Sequence, residues 1–393
     1  MHTSQAVKMR AVIDHLAHEI GGRGTCTPKV RRAARYVERI MRSAGVNIGR
    51  FQPFFAISST YAPFLLAFLL SFLGSLAVIL FPRGFLLLPG LILNVLALGG
   101  LLAETDLAPN WMRALLPKTP TQNLTARIEP QRKPRRQVVL CAHLDTHRTP
   151  VFYSSSAWIT TFSVALIAIV LGMFVSALIA LLLIILPAEW LRYFLIPFQA
   201  VELFAIAMCI HADLTPYSPG ANDDASGVSV VTVLACQLAA QPLKHTIVHV
   251  LFTDGEEAGC TGMQYFLMKK RCVLPPDTLF LILDEVGAGT LTFLAADGLL
   301  FKHRTHPTAV NLIQQVQQAC PTISLLSKIG LAYTDALVAT KAGYPAITLV
   351  NTPSPANPSH WHQGSDTSTF IEDRTLKDCF ALVRQILNTF DEL

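Results

Sequence analysis

Two long stretches with almost no charge limit what this chain can fold into more than any other feature. The first runs from about Pro63 to Ala103: PFLLAFLLSFLGSLAVILF, a Pro82-Arg83-Gly84 break, then FLLLPGLILNVLALGGLLA. Each half is about 19 residues, long enough for a helix to cross a hydrocarbon core of about 30 Å, and the break folds the pair into a hairpin. The second block runs from Ala157 to Leu186 and resumes after Arg192 as Tyr193 to Ile210. Pro197 and Glu202 interrupt this last part, so a re-entrant or interfacial segment stays open there beside a full span. Four transmembrane helices in two hairpins are expected, making the chain an integral, multi-pass membrane protein with the lipid bilayer as a partner. Glu202 would cost about 2.5–3.5 kcal/mol if charged at the membrane centre. Such a residue is expected to face an interior: paired with Asn94, lining a substrate path, or hydrogen-bonded as a neutral acid within the bundle.

The blocks account for the composition, 52% hydrophobic and only 15% charged over 393 residues. That balance departs from a plain soluble enzyme and excludes a disordered or collagen-like chain. The net charge of +5 is small, and no dense basic stripe interleaved with aromatics appears; nucleic acid is not an expected partner. Removing the blocks leaves about 300 residues, enough for one α/β domain. The expected boundaries are 1–60 for the first part of that domain, 61–103 for hairpin 1, 104–156 for its second part, 157–210 for hairpin 2, and 211–393 for the rest. Basic residues near the soluble flanks, among them Arg42, Arg50, Arg113, Lys118, Arg127, Arg148 and the run Arg132, Lys133, Arg135, Arg136, outnumber Arg83 and Arg192 in the two opposite turns. The positive-inside bias therefore places the soluble domain in the cytoplasm. Eight scattered cysteines, Cys26, Cys141, Cys209, Cys236, Cys260, Cys272, Cys320 and Cys379, form no C-x-x-C pair and read as reduced thiols. The opening segment lacks the apolar core of a signal peptide. A sequon at Asn123-Leu124-Thr125 would go unused in the cytoplasm.

Outside the blocks, helical patterns such as CTPKVRRAARYVERIMRSAG, SGVSVVTVLACQLAAQ and PTAVNLIQQVQQAC accompany the short apolar runs QVVLCAH, TIVHVLFTD, LFLILD and AITLV. Continuous apolar strands alternating with helices predict a mainly parallel sheet covered on both faces. Ligands of such sheets bind outside the carboxyl ends of the strands. Here the ends carry His143-Leu144-Asp145, Asp254-Gly255-Glu256-Glu257, Asp284-Glu285 and, after a loop, His360, His362 and Asp366; the turn PGANDDASG adds Asp223 and Asp224. A single strand-end carboxylate is usually a helix cap. Five such clusters in one cleft would repel one another strongly unless positive charge offset them. A pair of divalent cations supplies that charge, and zinc accepts both imidazole nitrogen and carboxylate oxygen.

The order HLD, PGANDDASG, DGEEAG, LDEVG, YTDA…AGYPAITL and HWHQGSDT resembles the M28 family of di-zinc metallopeptidases, and IGGRGTCTPKVRRAARYVERIMRSAG is similar to that family's N-terminal helical segment. The resemblance implies a three-layer zinc-peptidase-like α/β domain and two zinc ions per chain. It implies metal ligands at His143, Asp223, Glu257, Asp284 and His362. In the usual family arrangement His143 and Asp284 share one zinc, Glu257 and His362 the other, and Asp223 bridges; the alternative sets His143 and Asp284 on different ions. Asp145 would orient the His143 imidazole and set its tautomer. Glu256 would be the general base, passing a proton from a zinc-bridging hydroxide's parent water to the leaving amine. Register within the motifs favours Asp223 over Asp224 as the bridge and His362 over His360 as the ligand. His147 reads as an extra loop residue. Asp335 matches the family's Ser-Asp-His segment, but Ala336 replaces the histidine, which puts any supporting role there in question.

The expected activity is therefore membrane-anchored, zinc-dependent hydrolysis of terminal peptide bonds in peptide substrates, aminopeptidase-like in kind. A single-zinc glutaminyl-peptide cyclotransferase is the alternative enzyme, since TDGEEAG and Trp361-His362 also suit it. A non-catalytic peptidase-like membrane scaffold would be expected to lack a ligand or the base, and none is missing. Because the second hairpin lies between His143 and Asp223, a site facing the bilayer surface and taking hydrophobic or membrane-derived peptides is a further expectation; a simple anchor is the plain alternative.

Overall fold

The protein is described by a computed structural model covering residues 5–319, 323–353 and 359–393. Cys320 lies outside the described residues; the other seven cysteines are free thiols. The chain forms two compact units, one of Met1–Ser58, Lys118–Arg148 and Pro216–Leu393, the other of Ser59–Pro117 and Thr149–Thr215.

The smaller unit holds four helices long and apolar enough to cross a membrane: Ala62–Leu80, Leu87–Thr105, Ser156–Ile185 and Glu189–Leu214. Pro197 does not break the last one. It stands in the first turn of the α-helical part, Ile196–Leu214, where its missing N–H costs nothing. Small residues let the first two helices approach closely, since a Cβ on Gly74 would lie 2.8 Å from the Gly90 carbonyl oxygen. Polar side chains face one another inside the bundle. Ser71 Oγ lies 2.5 Å from Glu202 Oε1 and 3.1 Å from Asn94 Oδ1, so Glu202 and Asn94 are linked through a serine and not directly. Ser75 and Ser176 continue the chain at 2.9 Å. Glu104, also buried, is held by Arg113 at 2.5 Å and by Asn110 at 2.9 Å. These contacts tie residues 104–117 to the helical unit, further along the chain than the apolar pattern alone reaches.

The larger unit is built on ten strands: β1 (Asn47–Ile48), β2 (Gln52–Ala56), β3 (Thr119–Ile128), β4 (Arg136–His143), β5 (Thr246–Thr253), β6 (Leu279–Leu283), β7 (Thr290–Asp297), β8 (His303–Arg304), β9 (Leu326–Ile329) and β10 (Ala346–Thr352). They form one sheet in the order β1-β3-β5-β4-β6-β10-β7-β8, with β2 on β3 and β9 on β7. The central strands β5, β4, β6 and β10 are parallel. The expectation of a mainly parallel sheet holds for these central strands and not for the flanks: β3 runs antiparallel to β5, and β7 antiparallel to β10. The sheet is mixed for a physical reason visible in the sequence. Continuous apolar runs mark strands buried on both faces, and those form the central parallel block; TPTQNLTARI of β3 mixes polar with apolar residues and suits a flank, as does the short, largely exposed β9, which runs parallel to β7.

Every residue of β5 is buried. Val138, Leu140 and Ala142 of β4 join the core formed with the helices Pro28–Ser43, Gly227–Ala240 and Asp373–Glu392, whereas Val139 and Cys141 join Met263, Phe266 and Phe280 on the opposite face. In register, His143 pairs with Thr253, and Leu349 with Leu283. Strand ends β4, β5 and β6 thus leave the sheet at one edge, each followed by ionisable residues.

Phe280 is fully buried between the rings of Phe266 and Tyr344, at centroid distances of 6.5 and 5.1 Å. Phe280→Ala should destabilise this unit by about 3–5 kcal/mol, read as a lower denaturant midpoint at unchanged slope; a loss below about 1 kcal/mol would contradict the packing described.

Candidate metal centre

Four loops, after β4, β5, β6 and β10, and one tight turn bring the titratable residues together at that edge. After β4, the backbone carbonyl of Asp145 lies 3.0 Å from His143 Nδ1, while the Asp145 carboxylate stands farther off at 3.7 Å. The tautomer is thus set by a main-chain acceptor: Nδ1 carries the proton and Nε2 presents its lone pair. The Asp145 carboxylate instead accepts from Thr25 Oγ1 at 2.6 Å and from the amides of Glu256 and Glu257, both at 3.3 Å. Its side chain positions the second loop more than it orients the imidazole.

Asp223 sits in the turn Ala221–Ser226, whose Asp223–Asp224 peptide is cis. Each of its carboxylate oxygens faces a different histidine. Oδ1 is 3.3 Å from His143 Nε2, and Oδ2 is 3.2 Å from His362 Nε2. Each imidazole then has a second carboxylate: His143 Nε2 is 3.6 Å from Asp284 Oδ1, and His362 Nε2 is 3.3 Å from Glu257 Oε2. Donors held about 2.0–2.1 Å from a tetrahedral ion lie about 3.3–3.4 Å from one another. The separations of 3.2–3.6 Å match that spacing, and the donor set of two imidazole nitrogens and three carboxylates suits zinc. The residues present fit a pair of cations sharing Asp223.

The rival donors are engaged elsewhere. Asp224 also lies within reach of His143 and Asp284, but its carboxylate accepts from the amides of His143 (3.2 Å), Gly227 (3.0 Å) and Glu285 (3.3 Å). It knots three backbone segments. His360 stacks on Phe370 and hydrogen-bonds Ser365 at 2.8 Å. His147 lies beside Glu257 and His362, yet its ring stacks on that of His362, with centroids 3.7 Å apart and planes 9° from parallel. Stacked rings send their in-plane lone pairs along parallel lines, so these two nitrogens do not converge on one ion. Asp335 is buried behind the site, accepting from Thr253 Oγ1 at 2.7 Å, and burial pushes its carboxyl up to about 6. Asn123 is buried and bonded to Gly262 and Asp254, which closes the sequon to modification in the folded protein.

Sequence reasoning passed over what holds these loops in place. Asp366 receives the amides of Asn222 (2.8 Å) and Asp223 (3.0 Å). Asp254 takes the amide of Cys26 at 3.2 Å and the hydroxyl of Thr121. Arg23 is wholly buried, its guanidinium donating to four backbone carbonyls. Burial lowers its pKa only to about 10, so it remains a cation at neutral pH. The one signal in the sequence was an arginine set between glycines, Gly22-Arg23-Gly24.

The electrostatics follow from burial and crowding. Burial, together with Glu257 and Asp284 and against the field of His143, pushes the Glu256 carboxyl well up. Burial and Asp223 raise Glu257 to about 7. For His362, burial is outweighed by Glu257 and Asp223, which raise it to about 10. Asp223 is the exception: burial would raise it, but the two imidazoles bring it well below the usual carboxylate range.

A sequence model described as Peptidase family M28 matches residues 200–387. No curated protein matches the chain in sequence. Among solved structures, the chain is similar to BSAP, a zinc aminopeptidase from Bacillus subtilis, with a TM-score of 0.56 and 14% identity over 97% of this chain and 94% of that one. It is equally similar to glutaminyl cyclases from Porphyromonas gingivalis (TM-score 0.57, 17% identity, 98% and 97% covered) and Bacteroides thetaiotaomicron, the latter bound to N-acetylhistamine (0.57, 14%, 98% and 97%). The larger unit shares the fold of these zinc aminopeptidases and glutaminyl cyclases. His143, Asp145 and Arg23 lie outside the matched segment.

Stripped of metal, the protein should lose stability as pH rises. Asp366 is raised by burial from 3.8 to about 7, and Glu257 from 4.5 to about 7, so folding takes up protons over those intervals. His362, raised from 6.5 to about 10, contributes stability that is complete below 6.5 and lost as pH climbs through 10. Asp223 acts in the opposite sense, but only below its ordinary 3.8. The melting temperature of chelator-treated protein should therefore fall between about pH 5 and pH 9, and excess zinc should flatten the profile; a rise with pH would contradict the assignment.

Proposed function

We propose that this chain is a membrane-anchored, zinc-dependent exopeptidase of aminopeptidase-like kind, acting with two zinc ions. The observation that carries the reading is Asp223, whose two oxygens each face a different imidazole at 3.2–3.3 Å. His143, Asp284 and Asp223 Oδ1 would hold one ion; His362, Glu257 and Asp223 Oδ2 would hold the other. Bound zinc supplies a Lewis acid for the scissile carbonyl and lowers the pKa of water. Glu256 stands beside a ligand without being one, and its raised carboxyl pKa suits a base that takes a proton from the attacking water and returns it to the leaving amine. Asp145 supports both steps by gripping the amides of Glu256 and Glu257. The apolar helices would anchor the enzyme in a bilayer, with the peptidase unit on the cytoplasmic side according to its basic flanks.

One observation favours a second reading. Trp361 stacks on His362 at 4.2 Å, and a Trp-His pair, together with the fold shared with glutaminyl cyclases, suits cyclisation of an N-terminal glutamine at one zinc. Two measurements separate the readings. About two zinc ions per purified chain and free amino acids released from a mixed peptide library support the peptidase; about one zinc and pyroglutamyl products support the cyclase. Glu256→Gln should lower kcat by about 10²–10⁴-fold while leaving metal content unchanged; full turnover in that variant would remove Glu256 from the mechanism.

A further inference from the structure

Arg23 is a cation with no exposed surface, and its four guanidinium contacts reach three separate parts of the chain. Nε donates to Leu144 O at 2.9 Å, between His143 and Asp145. Nη1 donates to Pro219 O at 2.8 Å, and Nη2 to Gly220 O at 2.9 Å, where the turn that carries Asp223 begins. Nη1 also takes Leu16 O at 3.0 Å. The main chain repeats the link, because Arg23 N donates to Thr146 Oγ1 at 2.9 Å and Thr146 N to Arg23 O at 3.2 Å. The turn it holds is already tight. Gly220 has φ of +61°, and a Cβ there would lie 2.2 Å from Thr146 Cγ2 and 2.4 Å from the Asp223 carbonyl oxygen. One planar fork therefore spans the loop that presents His143 and the turn that presents Asp223, two ligands 3.3 Å apart. Four donors in fixed directions define that span; an ammonium in the same place is a point charge that cannot reach all four carbonyls.

We propose that Arg23 is a positioning residue for the metal centre: its guanidinium sets the separation of the His143 loop from the Asp223 turn and thereby the affinity and geometry of the cation site they share. The inference rests on the two-cation reading above. It places a determinant of metal binding in the N-terminal segment, outside the residues that match the M28 family.

The test compares Arg23→Lys and Arg23→Ala with the wild-type full chain in detergent, reading zinc retention against a chelator and the visible absorption of the cobalt(II)-substituted protein. With the fold intact by circular dichroism, both variants should hold zinc about 10–100-fold more weakly, the loss usual when a group supporting metal ligands is removed. Their cobalt spectra should shift, and kcat should fall more than KM rises. Added guanidinium should restore metal retention to Arg23→Ala and do nothing for the wild type. Wild-type zinc affinity and cobalt spectrum in Arg23→Lys would overturn the proposal. Failure of both variants to fold would also overturn it, by making Arg23 a support of the whole unit. A wild-type chain that retains no zinc at all would instead sink the two-cation reading on which the inference stands.

Discussion

Like charge confined away from water is the constraint on which this structure turns. Asp145, Asp223, Asp224, Asp254, Glu256, Glu257, Asp335 and Asp366 are all buried at one edge of the sheet, with Asp284 beside them. Buried carboxylates ionise only where hydrogen bonds or cations favour the charged form. The chain divides them between two tasks. Asp145, Asp224, Asp254 and Asp366 receive backbone amides and tie loops together. Asp223, Glu257 and Asp284 are aimed at imidazole nitrogens. Carboxylates of the first kind draw their stabilisation from the fold itself. Those of the second kind face imidazole nitrogens, the donor type that ligates zinc.

This division explains why strand order matters so much to the site. His143 and Asp284 emerge from parallel neighbours, β4 and β6, so their loops start from the same edge; the loop after β5, on the other side of β4, carries Glu256 and Glu257. The same scaffold is shared with aminopeptidases and with glutaminyl cyclases, and a scaffold alone does not choose between their chemistries. The proposed two-cation reading rests on Asp223, which presents one oxygen to each histidine.

The sequence exposed the parts of this arrangement that depend on one residue and its immediate neighbours. Strands β4, β5, β6 and β10 could be read because burial on both faces requires unbroken apolar runs, and the acidic or imidazole residues after them stood out against those runs. Strands β3 and β7 could not be read in the same way: TPTQNLTARI and TLTFLAAD mix polar and apolar residues, and their antiparallel pairing depends on tertiary neighbours. At the site, the ligand-type residues were legible as motifs, whereas the supports were not. Nothing local tells that Asp366 receives the amide of a residue 143 positions away, or that Arg23 meets Gly220 across 197. Asp145 shows the limit most clearly. Its position two residues from His143 suggested a carboxylate–imidazole contact, but the backbone carbonyl makes the nearer one and frees the carboxylate to grip Glu256 and Glu257.

The two units solve the problem of buried polarity in opposite ways, and the difference follows from what each must do. In the helical unit, Glu202 meets Ser71, and Asn94 meets Ser71 and Ser75, so a potentially charged group is surrounded by neutral hydroxyls and amides. Such partners satisfy hydrogen bonds without adding charge, which suits helices whose outer faces are apolar enough for lipid. Glu104, nearer a helix end, receives Arg113 instead, and Arg83 pairs with Glu189 between helices, so the closely paired charges in that unit lie away from the middle of a span. In the peptidase unit the solution is reversed. Charge is concentrated there, neutral partners are few among the ligand-type residues, and the guanidinium of Arg23 is directed at carbonyl oxygens and not at the carboxylates nearby. On the proposed reading, a chain that directs its buried arginine at backbone leaves the charge of the acidic cluster to the imidazoles and to metal.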